Sequence, residues 1–79
     1  MKDPGLRKRS MTVAGHRTSV ALEPAFWDAL ERLARERRCS VQALVATVDA
    51  ARGDGSLSSA LRLHVLRSLT GELGPVEAG

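Results

Sequence analysis

Residues 17–22, RTSVAL, alternate with a period of two: Thr18, Val20 and Leu22 fall on one side, and Arg17, Ser19 and Ala21 on the other. This is the pattern of a half-buried β-strand with branched apolar residues on its covered face. A single strand leaves backbone donors and acceptors unpaired along both edges, so it must find a partner. One candidate is SMTV, residues 10–13, joined to it through the two-residue loop Ala14-Gly15. Two-residue hairpins require positive φ at the first loop position, where alanine is poor, so the hairpin signal is weak. The other candidate is the same strand of a second copy, antiparallel about a two-fold axis, and this is the pairing the sequence leads us to expect.

The remainder reads as helices. Pro24 suits a first helical position, with Glu23 before it to complement the helix N-terminus. In PAFWDALERLARERR, Phe26, Trp27, Leu30, Leu33 and Ala34 form an apolar stripe opposite Asp28, Glu31, Arg32, Arg35 and Glu36. Ser40 is a natural N-cap for VQALVATVDAAR, whose Val41, Leu44, Val45 and Val48 recur at helical spacing, and Gly53 is the expected C-cap. Ser56 caps a third segment, LSSALRLHVLRSL, with Leu57, Leu61, Val65 and Leu66 as its apolar face. The glycines and proline of TGELGPVEAG should stop that helix between Leu69 and Leu73. The expected organisation is a disordered basic arm (1–9), a strand-helix-helix core (10–53), a third helix (54–73) and a flexible tail (74–79), in a mainly α fold with one short strand.

At 79 residues the chain is one small domain that buries a modest fraction of its surface unless a partner subunit adds apolar area. Its single cysteine, Cys39, excludes an intrachain disulfide and a zinc cluster, which points to a reducing cytoplasm. Charges interrupt every apolar run before it reaches the length of a membrane span, so no membrane association is expected. The net charge is +3, and residues 1–17 hold Lys2, Arg7, Lys8, Arg9 and Arg17 against Asp3 alone. Such an arm either solubilises the chain or meets a polyanion.

RTSVALEPAFWDALERLARERRCSVQALVATV, residues 17–48, resembles the ribbon-helix-helix domain of Arc/MetJ-type bacterial repressors. The likeness rests on the short alternating strand, the proline helix start, ARE near the helix end and the Ser-initiated second helix. KRSMTVAGHRTSVALEPAFWDAL followed by LSSALR is similar to a subfamily of short bacterial proteins in which a third helix follows the core. The resemblance implies an intertwined homodimer whose intermolecular two-stranded ribbon lies in the DNA major groove. Its dimer contacts would be Thr18, Val20, Leu22, Trp27, Leu30, Leu44 and Val48. The outward strand positions that read bases in the family fall on Arg17, Ser19 and Ala21. Arg17 suits a bidentate contact to guanine, Ser19 bonds several bases, and Ala21, where repressors usually carry a polar reader, offers an apolar contact such as a thymine methyl. The family also clamps a phosphate at the start of the second helix, here Ser40 and Val41, with Arg37 and Arg38 just before it. Lys8 and Arg9 would add phosphate contacts. Where the family often has glycine in the interhelical turn, this chain has RRCS.

Phe26 and Trp27 read as core anchors rather than base-stacking platforms, because they share helical spacing with Leu30 and Leu33. Cys39 reads as a small, partly buried apolar residue rather than a redox switch. His16 and His64 are too few and too separated for a metal site; His16, beside Arg17, either touches phosphate or flanks the strand, and His64 belongs to a helix surface or interface. No nucleophile-base pair, paired carboxylates or phosphate loop is present, so neither an enzyme nor a cofactor is expected. The leading expectation is a homodimeric DNA-binding transcriptional regulator acting as a repressor. The competing one is a homodimeric interaction module that docks a protein partner through helix three, with an antitoxin-like variant, because LRLHVLRSL holds more leucine than one buried stripe requires.

Overall fold

The computed structural model describes residues 5–71. The chain runs β1 (Arg7–Val13), β2 (His16–Leu22), α1 (Pro24–Glu36), α2 (Val41–Ala51) and α3 (Leu57–Thr70). The strand therefore finds its partner within its own chain. β1 and β2 pair antiparallel through seven positions, from Arg7 opposite Leu22 to Val13 opposite His16. This corrects the expectation of one strand: there are two, and they pair within the chain.

The turn explains the difference. Ala14 and Gly15 both take positive φ, 54° and 82°, as the two central residues of a type I′ hairpin turn do. Holding alanine there costs about 1–2 kcal/mol. Against that cost stand a full ladder and the burial of Met11 and Val13, each of which gains about 1.5–3 kcal/mol on leaving water. Arg7, Lys8 and Arg9 belong to β1 and not to a disordered arm as expected; residues 1–4 lie outside the described residues.

The inner face of the ribbon covers three helices. Met11, Val13, Val20 and Leu22 from the strands meet Trp27, Leu30 and Ala34 of α1, Leu44, Val45 and Val48 of α2, and Leu61 and Val65 of α3 in one core. Val20, Leu22, Trp27, Leu30, Leu44 and Val48, the expected dimer contacts, are thus buried within one chain, and Thr18 is half-buried beside them. The hairpin supplies the apolar cover that a second subunit was expected to bring. Leu66 departs from the expected α3 face and is 54% exposed.

Helix ends follow local chemistry. Pro24 opens α1, the Ser40 hydroxyl accepts from the Ala43 amide (3.0 Å), and the Ser56 hydroxyl accepts from the Ser59 amide (3.1 Å). Gly71 closes α3 in the left-handed conformation, inside the expected range; the tail, 74–79, lies outside the described residues. Gly53 does not cap α2 as expected. The helix ends through Arg52 in an extended conformation, its guanidinium bonded to Asp49 and to the Gly55 carbonyl. Between α1 and α2, Arg38 takes φ 58° in the turn where glycine would be unstrained.

Because Ala14 carries the strain of the turn, Ala14→Asn should raise stability by about 1 kcal/mol, since asparagine tolerates this conformation. A higher urea midpoint with an unchanged slope is the expected reading. A lower midpoint would show that the turn does not limit the fold.

Candidate nucleic-acid interface

Pairing through a two-residue loop fixes which side chains share a face. Residues opposite one another lie on the same side of a sheet, and neighbours along a strand on opposite sides. With Met11, Val13, Val20 and Leu22 turned inward, Lys8, Ser10 and Thr12 of β1 face outward with Arg17, Ser19 and Ala21 of β2. The cross-strand pairs on this face are Lys8 with Ala21, Ser10 with Ser19, and Thr12 with Arg17. Ala21 is half-buried; the other five are exposed. The face therefore presents two cations and three hydroxyls, and no carboxylate.

The sequence-expected outward positions Arg17, Ser19 and Ala21 occupy this surface together, joined by Lys8. Ser10 and Thr12 were not anticipated as site residues. They were legible only through the pairing register, since SMTV by itself does not reveal a partner strand.

Arg9 goes elsewhere. Its position in the alternation turns it toward the helices, where its guanidinium lies 4.4 Å from the centre of the Trp27 ring and 2.9 Å from Glu31 Oε2. The Trp27 indole N–H donates to the Arg7 carbonyl at 2.8 Å, tying α1 to the start of β1. Arg9 is thus part of the attachment between ribbon and helix, not of the outer face.

The start of α2 lies beside the other strand edge. The Thr12 amide donates to Gln42 Oε1 at 3.3 Å, which brings the first turn of α2 alongside β1. Ser40, which caps that helix, and Arg38 just before it are both exposed, and Val41 is half-buried. Cys39 is exposed rather than partly buried, because the left-handed turn at Arg38 directs the chain outward while the Cys39 amide bonds back to the Ala34 carbonyl at 2.9 Å.

On β2, the Ala21 carbonyl accepts from the Ser58 hydroxyl at 3.1 Å. Next to it Arg62 donates two bonds to the Glu23 carboxylate, at 2.9 and 3.2 Å, and those bonds hold that carboxyl below its ordinary range. His16 is exposed at the end of the turn, whereas His64 sits in a cleft of about 420 Å³ between the end of α2 and α3. Its Nε2 is buried without a hydrogen-bond partner. Burial first, and then the charge of Arg37, pushes the His64 imidazole below its ordinary value. Among the described residues no group of three His, Cys, Asp or Glu side chains is placed to hold a metal ion, and no helix is long and apolar enough to cross a membrane.

A two-stranded ribbon carried on helices, with a polar and cationic outer face, defines a class of protein built around an exposed β-hairpin. A family profile described as the ribbon-helix-helix domain matches residues 6–69, and the chain belongs to that family. No curated protein and no solved structure matches the chain. Members of the family are in general DNA-binding transcription regulators, and the fold is typically non-enzymatic.

Two outcomes test this description. Arg9→Ala should lower stability by about 1 kcal/mol, through loss of the cation over the indole and of its ion pair. Trp27 fluorescence should move to longer wavelength as the covered ring face opens to water; unchanged stability and emission would contradict the attachment. For His64 the neutral ring is the folded form. Above its ordinary value of 6.5 neither folded nor unfolded chain holds the proton, and as pH falls below it the unfolded chain takes up a proton that the folded chain resists. Stability should therefore decline from pH 6.5 downward until the folded value is passed, and His64→Gln should flatten that decline in urea titrations at stepped pH.

Proposed function

We propose that this chain is a cytoplasmic DNA-binding transcription regulator, acting as a homodimeric repressor that lays the outer face of its ribbon in the major groove. The observation that carries the reading is that face: five exposed polar or cationic side chains on a two-stranded ribbon, the β-structure whose width matches the groove. Arg17 is suited to guanine, Ser19 to several base edges, Ala21 to a thymine methyl, and Lys8 to phosphate. Ser40 and Val41 offer free amides and the positive end of α2 to a second phosphate, with Arg38 beside them. Arg9, engaged with Glu31 and Trp27, drops out of the contact set.

A second reading has its own support. Leu63, Leu66 and Leu69 on α3 are 45%, 54% and 76% exposed, and with Phe26 they line an apolar groove of about 540 Å³. A protein partner docked there would make the chain an interaction module. Because Leu61 and Val65 of α3 belong to the core, removal of the helix would unfold the chain, and the exposed leucines are the ones to substitute.

The leading reading is tested by titrating fluorescent random-sequence duplex DNA at several salt concentrations. Affinity should fall with salt, with a logarithmic slope of about 0.9 per phosphate neutralised. Lys8→Ala should reduce that slope by about one, whereas Arg9→Ala should leave it unchanged. Binding that ignores salt would overturn the reading. Loss of a partner with Leu66→Gln, at intact DNA binding, would instead support the second.

A further inference from the structure

We infer that the cleft between the end of α2 and α3 is a binding site for a small organic acid, a carboxylate or phosphate monoester with an apolar body. The site lies on the helices, away from the outer face of the ribbon, and does not depend on the DNA-binding reading.

The first support is the shape and lining of the cleft. Its volume of about 420 Å³ suits a small molecule rather than a water or two. Val48 and Ala51 of α2 face Ala60 and Leu63 of α3 across it, which gives an apolar body its walls. Gly53 and Gly55 put backbone rather than side chains on one side. A Cβ at either would meet nothing within 4 Å, so packing does not require glycine there.

The second support is charge. Arg52 and Arg67 stand on the wall, and no aspartate or glutamate does. The Arg52 guanidinium is fixed at the end of α2 by bonds to Asp49 and to the Gly55 carbonyl. Its remaining terminal nitrogen keeps two N–H donors with no partner among the described residues, a fork suited to an acid's oxygens. His64 belongs to the same wall. Its Nε2 is buried without a hydrogen-bond partner, alone in this among the side-chain atoms of the described residues. Native structures leave few such groups unmet, and rotation of the ring about its Cβ–Cγ bond can bring that nitrogen to a ligand oxygen.

The third is a division of labour on α3. Ser59, Leu63, His64 and Arg67 recur at spacings of three and four, so they share one stripe, and that stripe lines the cleft. Leu61 and Val65 in the core, with Ser58 and Arg62 on the Ala21 carbonyl and the Glu23 carboxylate, form the opposite one. The second stripe holds the helix in the fold. Leu63 on the first is 45% exposed, so folding alone does not account for it.

The test follows the backbone amide resonances of the full chain as benzoate or phenyl phosphate is added at constant ionic strength. Benzamide serves as the uncharged analogue, and acetate as the charge without the ring. At least one of the two acids should saturate in the millimolar range, with shifts centred on Gly53, Gly55, Ser59 and His64. Benzamide and acetate should each bind about fivefold more weakly. The stronger of the two acids tells a carboxylate site from a phosphate one. Arg67→Gln should weaken that acid about fivefold and leave benzamide unchanged. Ser59→Phe, which fills the cleft from an exposed position, should abolish binding of the acid. Equal binding of benzamide, shifts centred instead on the cations of the ribbon or the start of α2, or no saturation by either acid would overturn the site. Should Arg67→Gln unfold the chain, undiminished acid binding by Ser59→Phe overturns it alone.

Discussion

Everything in this structure depends on the pairing of β1 with β2. Without β1, the apolar side of β2 and the helices beneath it would have only half a roof, and a chain of this length would lack the buried area to hold three helices together. With it, Met11 and Val13 complete a core that reaches from the ribbon through α1 and α2 to α3. The same pairing places polar and cationic residues on the opposite side. Fold and candidate site are therefore two faces of one ladder.

Trp27 fixes that ladder to the helices. It is almost wholly buried, its indole N–H is satisfied by the Arg7 carbonyl, and its ring carries the Arg9 guanidinium, which Glu31 of the same helix holds from the other side. A large buried aromatic with a polar handle is well suited to this place, because it adds area and a directional bond at once. At the far end of the hairpin Gln42 reaches the Thr12 amide, and on the other strand Ser58 reaches the Ala21 carbonyl. The ribbon is thus held by α1 and α3 on its two strands at the open end, and by α2 near the turn.

The helices were legible in the sequence because their signals are local. Apolar spacing, Pro24, Ser40 and Ser56 each act within a turn or two of the residues they organise, and each element appears where those signals put it. β2 was equally legible from its alternation. β1 was not. RKRS reads as a solvated arm, since three consecutive cations look like charge rather than an alternating strand, and Ala14 argues against the turn. What overrides both is tertiary: Trp27 and Glu31 accept one of those cations, and the core accepts Met11 and Val13. The outer-face residues Arg17, Ser19 and Ala21 were readable because they needed only the period of β2. Ser10 and Thr12 needed the register, which lies in no short stretch.

Arg7, Lys8 and Arg9 show how sharply that register matters. Three consecutive cations meet three fates: a carbonyl that holds Trp27, an outward ammonium and a guanidinium locked over the ring. A slip of one residue in β1 would exchange the last two. It would also turn Met11 and Val13 to water and press Ser10 and Thr12 into the core, which costs several kcal/mol in burial alone. The contacts that stabilise the ribbon from below therefore also determine which side chains appear above it. In a hairpin that meets its ligand with one face, stability and specificity are not separate properties, because the choice of register decides both.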